Sequence, residues 1–191
     1  MTADPSADRT TGPSPSADPA DTLHLARWTV TSGSNANSRG AVIISAGDHQ
    51  WQASAEGNGA VDALFRAVDK ALADVLTGHP RLLSYDVHAL AEGPDAEGKV
   101  TVAIAPPSAA SGARAAGRYV GEITSTNIIA ASIEAYVDAV NELLAEAHWQ
   151  GATETAGNRQ RARVSEPAAK AQRAELDEDA GRIDTTDWFN Q

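Results

Sequence analysis

The chain has 191 residues, a net charge of −11 and no cysteine. That length suits about one domain, and the missing thiols exclude a disulfide framework or thiolate chemistry. Residues 23–150 alone hold fourteen acids against eight bases, which opposes binding to phosphate backbones or anionic lipid. Nucleic acid and membrane are therefore not expected partners. The first residues show no signal-peptide pattern and no apolar run reaches spanning length, so a cytoplasmic location is expected.

Residues 1–22 are almost wholly Ala, Ser, Thr, Pro, Asp and Gly, too little apolar surface to offset ordering entropy, and read as a disordered tail. Order begins where Ala26, Trp28 and Val30 alternate with polar neighbours in a first strand. The loop Ser32 to Asn37 leads to a second strand around Ala41 to Ile44. The turn Ala46-Gly47-Asp48 makes His49 to Ala55 its hairpin partner. A helix follows, with Val61, Leu64, Phe65, Val68, Leu72, Val75 and Leu76 on one continuous stripe, stopped by Gly78 and Pro80.

The plan then repeats. Leu83, Tyr85, Val87 and Ala89 share one face of a strand over Leu82 to Leu90, and simple alternation sets Leu82 on the opposite face. A loop runs from Glu92 to Gly98, and Val100, Val102 and Ile104 mark the next strand. A linker of Pro, Ser, Ala and Gly precedes a sixth strand around Arg114 to Ile123. The last helix carries Ile129, Ile133, Tyr136, Val137, Val140, Leu143 and Leu144 and should end near Trp149. Residues 151–191 lose the pattern and read as a charged, largely flexible tail, in which Trp188 and Phe189 cover their own domain or dock on a partner. The folded part is thus residues 23–150. The expected fold is α+β: two βββα units with mainly antiparallel sheet and two helices on one face.

Each unit's helix opens from a polar turn, at Gly57-Asn58-Gly59 and at Ser125-Thr126-Asn127. Free backbone N–H groups at a helix start favour a carboxylate or other anion. The glycines also suit a plain tight turn, and Asp62 suits simple compensation of the helix dipole. Five scattered histidines, His79 and His88 among them, lack metal-ligand spacing. Ser125 and Ser132 have no evident activating base. Neither a metal, a cofactor nor a catalytic residue is expected.

The order of these pieces is specific. Trp28 in a strand, Gly57-Asn58-Gly59 opening onto Val61-Asp62-Ala63-Leu64, and Leu83-Ser84-Tyr85-Asp86-Val87-His88-Ala89-Leu90 resemble the C-terminal regulatory domain of 2-isopropylmalate synthase and citramalate synthase. Gly93-Pro94-Asp95-Ala96, Gly121, Ile128 to Ser132, Ala135-Tyr136 and Asn141 look like the remainder, so the likeness covers about residues 25–148. The resemblance implies two βββα units, a homodimer and feedback binding of a small-molecule effector, leucine or isoleucine. The family's catalytic TIM barrel, with its metal-binding His-x-His pair, has no counterpart in these residues, so a catalytic synthase becomes an expected partner. Ligand contacts carried over are Gly57, Asn58, Gly59, Val61, Asp62, Leu82, Tyr85, Ala89, Ala96 and Ile128. The ligand carboxylate is expected at the glycine turn, where a larger residue at Gly59 would introduce strain, and Asp62 is a candidate acceptor for its ammonium. Ala60 replaces the family's usual Pro and Asn127 its usual Asp. These departures keep open a related small acid as ligand, a ligand-free scaffold, or new chemistry in the inherited pocket.

Overall fold

The computed structural model describes residues 22–93 and 95–164. The expected N-terminal tail, apart from its last residue, and the Trp188-Phe189 end lie outside these. The elements are β1 (His24–Gly33), β2 (Ala36–Ala46), β3 (His49–Gly57), α1 (Ala60–Ala71), α2 (Ala73–Leu76), β4 (Arg81–Ala89), β5 (Gly98–Ala105), β6 (Tyr119–Ser125), α3 (Ile128–Leu144) and α4 (Ala152–Val164), with short 3-10 turns at Gly112–Ala115 and Ala147–Trp149. The first three strands form one antiparallel sheet in chain order, and the next three form a second. The expected α+β fold of two βββα units is therefore present, as two separate three-stranded sheets.

In each unit the long helix covers its own last two strands. Helix α1 packs on β2 and β3, and α3 packs on β5 and β6. The strand alternation explains why: Ile44, Val42, Trp51 and Ala53 are buried under α1, and Val100, Val102 and Ile104 under α3. At Gly121 the contact is so close that a Cβ would collide with the Ala135 carbonyl of α3. Both first strands also carry a register shift at the same place. Leu25 pairs with Ile44 and Arg27 with Ile43, just as Leu82 pairs with Ile104 and Ser84 with Ala103. The duplication thus extends to a β-bulge, with Ala26 and Leu83 as the extra residues.

The units meet through side chains. Phe65 of α1 stacks on Tyr136 of α3 with ring centroids 4.6 Å apart. The Tyr136 hydroxyl donates to Asp69 Oδ1 at 2.5 Å. Asn141 of α3 accepts from the Leu23 N–H and donates to the Leu23 carbonyl, both at 2.8 Å, tying the start of β1 to the second unit.

Four expectations change. The first helix breaks at Leu72 (φ −95°, ψ 7°) and resumes as α2, which ends on Thr77 in the left-handed region (φ 52°). Leu72, Val75 and Leu76 stay buried throughout, so the apolar stripe is satisfied by two helical pieces. The sixth strand starts only at Tyr119, because residues around Arg114 coil into a turn that lays its guanidinium 4.5 Å over the Trp149 ring. The last apolar helix ends at Leu144, and Trp149 is buried in a separate turn. Finally, the stretch expected to lose order at 151 contains α4, which packs on α2 and β3. Thr153 and Ala156 are buried there, and Gly157 abuts the His49 ring so closely that a Cβ would overlap it. Small residues at the contact leave little hydropathy signal, which is why the helix reads as tail.

The Tyr136–Asp69 contact carries a pH dependence. Burial raises the Asp69 carboxyl above its ordinary range, against the Tyr136 hydrogen bond and the charges of His79 and Arg66, which lower it. Burial and that carboxylate push the Tyr136 hydroxyl well above its usual value, so it remains a donor. A carboxyl with a raised folded value favours folding in its protonated form. Its contribution is complete below the unfolded value and declines as pH rises through the folded one. Asp69→Asn keeps an acceptor for Tyr136 and removes the desolvated charge. The variant should be at least as stable as wild type at neutral pH, and its advantage should shrink as urea midpoints are followed down to about pH 4. A larger deficit at neutral than at acid pH would show that the charge itself is stabilising.

Candidate functional site

The turn between β3 and α1 is built by close approach. Gly57 pairs with Ser38 at the end of the sheet, and a Cβ there would strike the Ala63 backbone nitrogen and, at 2.6 Å, the Asp62 carboxylate. Gly59 caps α1 in extended backbone (φ −158°, ψ 172°) with open space where a side chain would project. The steric demand therefore falls on Gly57; the strain expected at Gly59 is absent because its conformation suits any residue.

The carboxylate on this turn is the protein's own. The Asn58 N–H donates to Asp62 Oδ2 at 2.9 Å, and Arg66 Nε donates to both Asp62 oxygens at 3.0 and 3.1 Å. The Asn58 hydrogen bond, and then Arg66, hold the Asp62 carboxyl below its ordinary range. One of the N–H groups expected to await a ligand anion is thus engaged, and Asp62 presents a charged acceptor beside it.

The second cluster lies on β4 and the start of α3. Residues paired across an antiparallel ladder share a face, and Leu82, Tyr85, Val87 and Ala89 pair with Ile104, Val102, Val100 and Gly98. Leu82 accordingly lies on the same face as Tyr85, against simple alternation, because the bulge at Leu83 inserts one residue between them. Asp86 and His88 pair with Thr101 and Lys99 on the other face, as expected. The Tyr85 ring stands edge-on to Phe65 at 5.8 Å, and its hydroxyl lies 2.8 Å from Ser132 Oγ. Ile128, the first residue of α3, lies over Gly98, where a Cβ would overlap its side chain. Ala89, opposite Gly98, is therefore its neighbour. Asn127 caps α3, its Oδ1 accepting from the Ala130 N–H at 3.1 Å.

The candidate residues fall into groups. Gly57, Asn58, Gly59 and Asp62 share the first turn, and Val61 is half-buried behind it against the core. Tyr85, Ala89 and Ile128 share the second cluster, joined to α1 through Phe65, one helical turn beyond Asp62. Leu82 stands seven residues from Ala89 along β4, roughly 20 Å at strand spacing, too far for one small ligand to touch both. Ala96 lies in the β4–β5 loop and lines an open cavity of about 580 Å³ with Leu90, Glu92, Asp95 and Glu97. Phe65, Arg66 and Ser132 were not among the residues expected at the site. A lone hydroxyl at position 132 on an otherwise apolar helix face was the available signal, since a buried hydroxyl needs a partner. Among the described residues no three acidic or histidine side chains come together as a metal site.

Gly57→Ala should lower stability by roughly 1–3 kcal/mol, the cost of overpacking, whereas Gly59→Ala should change it by less than about 1 kcal/mol. Urea denaturation of the two variants checks the contrast, and the reverse order would contradict the turn geometry.

The profile of the LeuA allosteric (dimerisation) domain, a regulatory rather than a catalytic module, matches residues 13–144. The 2-isopropylmalate synthase of Nitrosomonas eutropha is 39% identical over 103 residues, 53% of this chain and 18% of that protein. That of Aquifex aeolicus is 34% identical over 127 residues, 66% of this chain and 22% of that protein. That of Salinibacter ruber is 40% identical over 91 residues, 48% of this chain and 14% of that protein. The chain therefore spans about a fifth or less of the length of these relatives. Since the profile covers well over half of the sequence, this chain belongs to the LeuA allosteric (dimerisation) domain family.

Proposed function

We propose that this chain is a non-catalytic, cytoplasmic regulatory module that pairs with a second copy and binds a branched-chain amino acid, leucine or isoleucine, or a related small acid. Its target is a 2-isopropylmalate or citramalate synthase-type enzyme, on which it acts in trans. The observation that supports this reading is the uncovered β4 face carrying Tyr85 and Ala89, with Tyr85 joined to α1 through Phe65 and to α3 through Ser132, in a chain whose family is described as allosteric. Small Ala89 beside Ile128 leaves room for a branched side chain, while Asp62 accepts the ammonium and Arg66 stands by for the carboxylate.

Pairing is supported by the edge strand β4. Leu82, Tyr85 and Val87 are 49%, 36% and 43% exposed on its helix-side face, an apolar strip that a second copy would cover. Leu82 serves that contact better than it serves the ligand. One observation favours a second reading, a ligand-free dimerisation scaffold: Asp62 already satisfies the Asn58 N–H.

Light scattering should give a dimer at tens of micromolar, and the double change Leu82→Glu with Val87→Glu should give a monomer. Ligand at a hundredfold excess over Kd stabilises by about 2.7 kcal/mol, several degrees in melting temperature for a domain of this size. Ala89→Leu should abolish that shift and leave the unliganded melting temperature nearly unchanged. If leucine, isoleucine, valine and their 2-oxo acids at millimolar concentration all fail to shift wild-type melting, the scaffold reading replaces this one.

A further inference from the structure

Ser132 is fully buried on α3 and makes two hydrogen bonds. Its Oγ lies 2.6 Å from the Ile128 carbonyl, one helical turn back, and 2.8 Å from the Tyr85 hydroxyl. A hydroxyl has one proton to give and lone pairs to receive. The Ile128 carbonyl can only accept, so the Ser132 proton goes to it. Tyr85 must then donate its own proton to Ser132 Oγ. The phenolic oxygen keeps its remaining lone-pair capacity and has no proton left for anything else. Tyr85 is 36% exposed on the β4 face that also carries Ala89.

We propose that Ser132 is a specificity-determining positioning residue. By fixing Tyr85 as an acceptor, it makes the site take a ligand with an N–H donor, a 2-amino acid, over the matching 2-oxo acid, which offers only acceptors. This inference rests on Tyr85 lining the ligand site as proposed above. Asp62 acts in the same sense, because its carboxylate is an acceptor and already holds the Asn58 N–H that a ligand carboxylate would use. A 2-oxo acid would set lone pairs against lone pairs at both places. Groups desolvated without a partner are what make such rejection steep.

Isothermal titration of the 191-residue chain with L-leucine and with 4-methyl-2-oxopentanoate tests this. Wild type should bind leucine about tenfold more tightly or better, the value of one hydrogen bond to a charged group. Ser132→Ala frees the Tyr85 proton to turn toward the ligand. The ratio should fall about tenfold, to the preference that Asp62 alone imposes, chiefly through tighter binding of the oxo acid, with little change in unliganded melting. Tyr85→Phe should lower the ratio as much, but by weakening leucine. Should Ser132→Ala fail to fold, Tyr85→Phe alone decides, and an unchanged ratio there overturns the proposal. Equal wild-type affinities, or a ratio unchanged by Ser132→Ala, overturn it too and leave the regulatory reading standing. If neither leucine, isoleucine nor their oxo acids bind wild type, the regulatory reading falls and this inference falls with it.

Discussion

Two sheets that share no ladder must be held together by side chains, and that constraint shapes this molecule. A continuous sheet would fix the two units through backbone hydrogen bonds, whose geometry is indifferent to sequence. Here Phe65 stacked on Tyr136, Tyr136 bonded to Asp69, and Asn141 bridging both backbone groups of Leu23 serve instead. Each is a specific side chain on a helix whose apolar stripe is otherwise interchangeable. The junction also fixes the candidate site, because Phe65 touches Tyr136 on one side and Tyr85 on the other. A shift of α1 against α3 would move the Asp62 turn relative to Tyr85 and Ile128.

The polar details of the site agree with one another. Asp62 closes on its own turn and is stabilised in the charged form by Asn58 and Arg66. Tyr85 is committed to Ser132, and Ser132 to Ile128. Each commitment uses up a donor near the exposed face and leaves acceptors. The β4 strand complements this with apolar surface: Leu82 and Val87 sit on an edge, uncovered, which is costly in a lone monomer and useful in a paired one.

Helix α4 adds a contact outside the family match. It follows the second unit in the chain, yet it packs on α2 and β3 of the first, with Arg159 and Arg161 donating to the carbonyls of Asp74 and Asp48. Its buried surface is small, so it belongs to the low-stability end of the fold. It nevertheless crosses the boundary between the units, as do the Tyr136 and Asn141 contacts.

Much of the architecture was legible in the residues. The strand alternation, the two amphipathic helices and the repeated layout came from period alone, because burial on one face imposes a period of two or of about 3.6. The turn Gly57-Asn58-Gly59 and the face of His88 were also readable. Three features of the site were not, besides the helix break at Leu72 and helix α4. The bulge at Leu83 is set by pairing with β5 and leaves no mark on composition, so simple alternation puts Leu82 on the wrong face. Gly57 rather than Gly59 bears the steric demand because α1 approaches it, a tertiary fact. The Ser132–Tyr85 bond joins residues 47 apart in the chain. Sequence by itself determined the six strands in outline, the two long helices, the duplication and the family. Only the tertiary structure decided which side chains meet between the units, since those contacts depend on how two separately closed sheets are turned against each other.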